Sequence, residues 1–272
     1  MISVPGKIFI FGEYSVMNGG EAVLASVKPD FECGWSNTTR VHPDSPAGRF
    51  LSENNTQIFI KVEGGLGAGF GSSTAELISA NEYLDQPWSS KRLWSWYHQN
   101  FVPASGADLA VQDQSRKDGH GFYHFQTHEP DYRLNKINVP TDFQKNCFIF
   151  HSPPTQKIPT YSDLENKRDQ SIEINIADQF IHRWLRSFDP KVLTEWADYL
   201  AKIGYESLFA HQVRKSFLSI KGVLGVKGCG AGLNDVFLVC VDQSLPQKMN
   251  HDLTAVVEKY KLKSLGSMMD HV

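Results

Sequence analysis

Between positions 64 and 76 the chain reads Gly-Gly-Leu-Gly-Ala-Gly-Phe-Gly-Ser-Ser-Thr-Ala-Glu, five glycines running into a pair of serines. Glycine admits left-handed turns and lets backbone N–H groups approach an anion closely, and the unpaired N–H groups of a helix start complete such a site. The stretch therefore reads as a phosphate cradle built from Gly65, Gly67, Ala68, Gly69, Gly71, Ser72, Ser73 and Thr74, with a polyphosphate as its ligand. It is neither a P-loop, since no Gly-Lys-Ser/Thr follows, nor the dinucleotide G-x-G-x-x-G. The competing local reading is a flexible turn ahead of a helix, with Ser73 as N-cap and Glu76 closing a capping box.

Composition narrows the ligand class. The chain has 272 residues, enough for one large domain or two ordinary ones, and 41% of them are hydrophobic. A net charge of −3 gives no global basic field for nucleic acid or an anionic membrane, so any anion site has to be local. Cys33, Cys147, Cys229 and Cys240 are scattered without a C-x-x-C pair, which argues against a zinc site and a disulfide framework and for a reducing, cytoplasmic setting. No apolar run approaches 18 residues, and no signal-peptide pattern opens the chain.

The elements that must position the cradle follow from periodicity. Strands are expected at 7–11, 22–27 and 57–62, an exposed loop at about 37–55, and helices from Ser72 to about Leu84 and from Ser90 to Gln99. Further strands are expected at 120–126 and 146–150, before Pro153-Pro154, the expected domain junction. Ser162 and Glu165 signal the start of a helix reaching about Phe188, and Asp189-Pro190 starts another reaching about Leu208. Strands at 223–227 and 235–241 and a helix at about 251–260 close the chain.

Three segments, in this order, resemble the signature of the GHMP kinases. Pro5-Gly6-Lys7-Ile8-Phe9-Ile10-Phe11-Gly12-Glu13-Tyr14-Ser15-Val16 is similar to the family's P-G-K-x-x-L-x-G-E-H/Y-x-V. Gly67 to Ala75 is similar to G-x-G-L-G-S-S-A-A, with Phe70 for leucine and Thr74 for alanine. The third segment, Gly222 to Gly232, is a second glycine-rich loop, with Gly228-Cys-Gly230-Ala-Gly232 in place of consecutive glycines. In addition, Ser105-Gly106-Ala107-Asp108-Leu109-Ala110-Val111 looks like the S-G-x-D-x-A-V of the mevalonate kinase branch.

The resemblance implies an α+β, two-domain GHMP kinase fold: an N-terminal ATP-binding domain of the type of ribosomal protein S5 domain 2 over 1–144, and a ferredoxin-like α/β sandwich over 145–272. It implies ATP and Mg²⁺, the nucleotide lying between the first glycine loop and that of the second domain. Asp108 would then accept the proton of the substrate hydroxyl, with Lys7 beside it and the transferring phosphoryl group. The local alternative for Asp108 is a helix-start acid with Ser105 as cap. Gly228 and Gly230 would approach the nucleotide, and Glu13, Tyr14, Ser105, Gly106 and Thr160 the substrate. Mg²⁺ would fall to Ser73 and an acid; the stretch 91–101 holds no carboxylate, which leaves Glu76, whose capping role stays open, or Glu82. The acceptor implied is a small-molecule alcohol of the mevalonate pathway, mevalonate or phosphomevalonate, in a monomer or homodimer. The reading from another class is a non-catalytic relative that binds nucleotide or metabolite.

Overall fold

The computed structural model describes residues 1–37, 41–56, 60–64, 69–101, 104–128, 130–152, 172–229, 236–242 and 247–272. Gly65, Gly67, Ala68, Thr160, Gly230, the Pro153-Pro154 junction and the Ser162–Glu165 helix start lie outside them. The chain divides into two compact units: Met1–Ile8, Val16–Ile137 and His271–Val272 form one, Phe9–Ser15 and Asn138–Asp270 the other.

In the first unit, strands β1 (Ile2–Phe11), β2 (Glu21–Trp35), β4 (Gly121–His128) and β5 (Asp131–Ile137) lie in that spatial order, and β3 (Ile60–Gly64) pairs with the far half of β2. The long β2 serves two partners, holding β4 through Glu21–Ser26 and β3 through Phe31–Trp35, both antiparallel. Helices α1 (Pro46–Glu53), α2 (Ser72–Glu82), α3 (Ser90–Asn100) and α4 (Ala107–Asp118) complete this unit. The unbroken burial of Ala22 to Val27 reflects a strand covered on both faces.

The segment expected to be an exposed loop contains α1. Ser45 accepts a hydrogen bond from Gly48 N at 3.1 Å and Pro46 occupies the first helical turn, so the prolines that suggested a loop are a helix start. The expected capping box of Ser73 and Glu76 does not form: the N-cap lies two residues earlier, at a left-handed Gly71, with no side-chain cap. Ser105 is not the N-cap of α4 either. That position belongs to Gly106, while the Ser105 hydroxyl accepts from Ala107 N at 3.2 Å.

In the second unit, α5 (Thr141–Asn146) precedes β6 (Cys147–His151), and α6 (Ile174–Ser187), α7 (Lys191–Lys202) and α8 (Leu208–Leu218) precede β7 (Val223–Cys229) and β8 (Val236–Val241). α9 (Gln247–Lys259) and β9 (Lys263–Ser267) finish it. The sheet runs β7-β8-β6-β9, every neighbour antiparallel. Its core joins Val213 and Phe217 of α8 to Val226, Phe237 and Val239. The helix expected to reach Leu208 stops at Lys202 because Gly204 turns left-handed at φ 79°, and Ser207 then caps a separate helix. No helix among the described residues is long and apolar enough to cross a membrane.

β7 packs closely enough on the start of α7 that a Cβ at Gly225 would stand 2.0 Å from the Pro190 carbonyl oxygen, whereas one at Gly34 in β2 would meet nothing within 4 Å. Gly225→Ala is therefore expected to cost about 1–3 kcal/mol through forced overpacking. Gly34→Ala should leave the midpoint of urea unfolding near that of the native chain.

Candidate active site

α2 and α4 both open on a left-handed glycine, Gly71 at φ 90° and Gly106 at φ 70°, and neither carries a side-chain cap. At the start of α2 this leaves the first-turn N–H groups, with their positive partial charge, available to an anion, whereas at α4 the Ser105 hydroxyl and the Asp108 carboxylate accept from Ala107 N and Leu109 N. At Gly71 the surroundings are as demanding as the φ angle. A Cβ there would stand 3.0 Å from both amide atoms of Gln112 and 3.1 Å from Lys7 Cε. The buried Lys7 side chain thus runs across the entrance of α2, on a strand fixed there by Lys7 N donating to the Phe70 carbonyl at 2.9 Å.

Gln112 ties the two helix starts to β1. Its Nε2 donates to the Pro5 carbonyl at 2.6 Å and to that of Gly71 at 3.2 Å, and its Oε1 accepts from the Thr74 hydroxyl. Asp108 stands one turn earlier on α4, and residues four apart share a helix face. Its half-buried carboxylate therefore lies on the side of α4 that meets Pro5 and Gly71, with Oδ1 accepting from Leu109 N at 3.0 Å.

The turn before Asp108 is gripped from α3. Trp94 Nε1 donates to the Ser105 carbonyl at 3.1 Å, and His98 Nδ1 lies 2.8 Å from that of Ala104, with the two rings stacked 4.9 Å apart. A Cβ on Gly106 would fall 2.4 Å from Trp94 Nε1, so Ser105 and Gly106 hold the loop's shape against the indole.

On α2, Ser72 is half-buried, Ser73 exposed and Thr74 buried. Glu76 follows Ser73 by three residues, and burial raises its carboxyl above the ordinary range. A desolvated carboxyl beside an exposed hydroxyl suits a hard cation that takes its remaining ligands from phosphate and water, so the donor set fits Mg²⁺. Among the described residues no three His, Cys, Asp or Glu side chains form a metal-holding group by themselves. Glu82, the alternative acid, instead pairs with Arg116 at 3.2 Å.

Glu13 and Tyr14 belong to the second unit. Glu13 Oε1 accepts from Lys227 Nζ at 2.6 Å, and both side chains are almost wholly buried. Lys227 also donates to the Gly228 carbonyl at 2.8 Å and that of Phe9 at 3.4 Å, and Trp196 Nε1 donates to Glu13 Oε2 at 3.4 Å. Burial works against the Lys227 ammonium, but Cys229 and Glu13 more than offset it and its pKa rises. Burial pushes the Cys229 thiol up to about 12 despite Lys227, so at neutral pH Glu13 is the counter-charge. Tyr14 packs on Tyr205 with centroids 4.6 Å apart.

The sequence does not single out Gln112, it marks Trp94 only as a core aromatic of the Ser90–Gln99 helix, and its third segment draws attention by its glycines rather than by Lys227. Gln112 had one available signal, its place one turn after Asp108. For Trp94, helical spacing signals burial but not its bond to the Ser105 carbonyl, because that partner lies across a loop.

No protein-family model matches the chain, and no curated protein matches it. Solved structures do. The chain has the two-domain fold of the GHMP kinases. Among the matches is Streptococcus pneumoniae phosphomevalonate kinase in complex with phosphomevalonate and AMPPNP, at a TM-score of 0.69 and 13% identity over 98% of each chain. L. major mevalonate kinase in complex with R-mevalonate matches at 0.65 and 13%, covering 94% of this chain and 90% of that one. Lactococcus lactis galactokinase complexed with galactose matches at 0.62 and 11%, covering 97% and 92%.

Two predictions follow from the charges. Because the folded pKa of Glu76 is raised, its protonated form is favoured by folding; that contribution is full below the unfolded pKa and lost as pH rises through the folded one. Glu76→Gln should therefore raise the thermal midpoint at pH 7 relative to pH 4, measured without nucleotide. Removing one partner of a buried pair strands the other charge, so Glu13→Ala should cost about 3–5 kcal/mol in denaturant unfolding, much of it recovered in Glu13→Met/Lys227→Met.

Proposed function

We propose that this protein is an ATP-dependent small-molecule kinase that transfers a γ-phosphoryl group to the alcohol of a mevalonate-pathway metabolite, mevalonate in the first instance and phosphomevalonate as the alternative. The observation that carries the reading is the convergence of Lys7 and Gln112 on the uncapped start of α2, with Asp108 one helical turn from Gln112 on the same face. The likeness in fold to structures of mevalonate and phosphomevalonate kinases supports the substrate class.

Phosphoryl transfer asks the protein for positioning and charge stabilisation rather than covalent chemistry. In this reading Gly69, Gly71 and the first-turn N–H groups at Ser72, Ser73 and Thr74 hold the phosphate tail, together with Gly65, Gly67 and Ala68. Lys7 neutralises charge on the phosphoryl oxygens and keeps the Asp108 carboxylate ionised, and Asp108 takes the proton of the attacking hydroxyl. Ser105, Gly106, Glu13, Tyr14 and Thr160 are assigned to the substrate side, and Gly228 and Gly230 to the nucleotide. Ser73 and Glu76 would hold Mg²⁺, which supplies charge neutralisation on the phosphates when bound. The four cysteines, all free and buried, suit the cytoplasm.

The test is ADP release from Mg-ATP with mevalonate, phosphomevalonate, homoserine or galactose as acceptor. Turnover with mevalonate or phosphomevalonate is expected, and Asp108→Asn should lower kcat by about 10²- to 10⁴-fold with unchanged circular dichroism. Nucleotide binding without ADP release on any of the four would leave a non-catalytic relative as the better description.

A further inference from the structure

Resting on that kinase reading, we infer that Gln112 is the positioning residue of the reaction: its side-chain amide sets the place of Lys7 relative to the phosphate-facing end of α2. Gln112 is wholly buried, and both N–H groups and the oxygen of its amide are hydrogen-bonded. One N–H holds the Pro5 carbonyl, two residues before Lys7. The other holds the Gly71 carbonyl, the residue at which α2 begins. The Thr74 hydroxyl faces both Gln112 Oε1 and, at 3.0 Å, the Gly71 carbonyl, which also accepts from Ala75 N at 3.0 Å. The Pro5 and Gly71 carbonyls can only accept, and they fix which end of the amide is nitrogen.

Three segments far apart in sequence thus share one rigid planar group: the strand bearing Lys7, the helix start proposed to bind phosphate, and the helix bearing Asp108. Gln112 touches none of the reacting atoms assigned here and acts through the others. Displacing a catalytic group by about 1 Å can cost about 10²-fold in rate, so a positioning role predicts an effect on turnover out of proportion to binding. In the family pattern to which residues 67–75 are similar, alanine stands where this chain has Thr74. The hydroxyl that meets Gln112 Oε1 is therefore a point at which this chain departs from that pattern.

Gln112→Met keeps length and volume but makes none of the three bonds. In steady-state kinetics on folded variant, kcat is expected to fall about 10- to 100-fold while the KM for ATP stays within about 3-fold. Thr74→Val removes the hydroxyl's bonds to Gln112 Oε1 and to the Gly71 carbonyl and should lower kcat severalfold; combined with Gln112→Met the loss should fall short of the product of the two single losses, because the bond to the amide is already gone. Should Gln112→Met fail to fold, Thr74→Val alone decides. Unchanged kcat in the variant that folds, or kcat and KM that change only in step with the folded fraction, would overturn the positioning role. Absence of phosphoryl transfer by the native chain would instead overturn the kinase reading from which it starts.

Discussion

The absence of a side chain at Gly71 is the constraint on which the first unit depends. Three groups need the same few cubic ångströms: the Lys7 methylenes, the Gln112 amide and the backbone turning into α2. A methyl group there would meet all of them in a backbone conformation that L side chains rarely adopt. With glycine in place, the helix opens without a cap and its first N–H groups keep their capacity for an anion. The local stability that a serine or aspartate cap would have given, about 1 kcal/mol, is forgone. The compensation comes from tertiary contacts, chiefly Gln112 and the Thr74 hydroxyl, which donate to the Gly71 carbonyl and leave the first-turn N–H groups untouched.

The second unit is organised around a different demand. Lys227 and Glu13 are a pair that neither could form in isolation, since desolvating either charge alone is costly. Their 2.6 Å contact, with carbonyls of Phe9 and Gly228 completing the ammonium's coordination, joins the segment that ends β1 to the strand leading into the second glycine loop. Buried pairs add less to stability than their geometry suggests, but they tolerate few alternatives. A register slip in β7 would strand both charges, which makes the pair a specifier of alignment.

Much of the architecture was legible in advance because it is periodic. β-branched and aromatic runs marked most of the strands, and helical spacing of Leu77 and Ala80 marked α2. The misses have identifiable causes. Pro46 punctuates a loop and starts a helix with equal ease, and only the Ser45 bond to Gly48 N separates the two. Gly204 and Ser207 together divide α7 from α8, a stop followed by a start, although apolar spacing runs through both. Ser73 and Glu76 satisfy the capping-box pattern, but the left-handed Gly71 begins the helix before that pattern can act.

By itself the sequence determined that a glycine-rich turn precedes the helix at Ser72 and that a lysine follows Pro-Gly near the start of the chain, and it offered the head of a helix as one of two readings for Asp108. These are facts of residue type and local spacing, where backbone sterics and hydrogen-bond propensity act over a few positions. Only the tertiary structure decided that Gln112 reaches back 107 residues to Pro5, that Trp94 occupies the space over Gly106, and that Lys227 pairs with Glu13 across 214 residues. Pairings of that kind are fixed by burial, where an unmatched amide or charge is expensive. Which polar groups become buried together depends on the whole chain having folded.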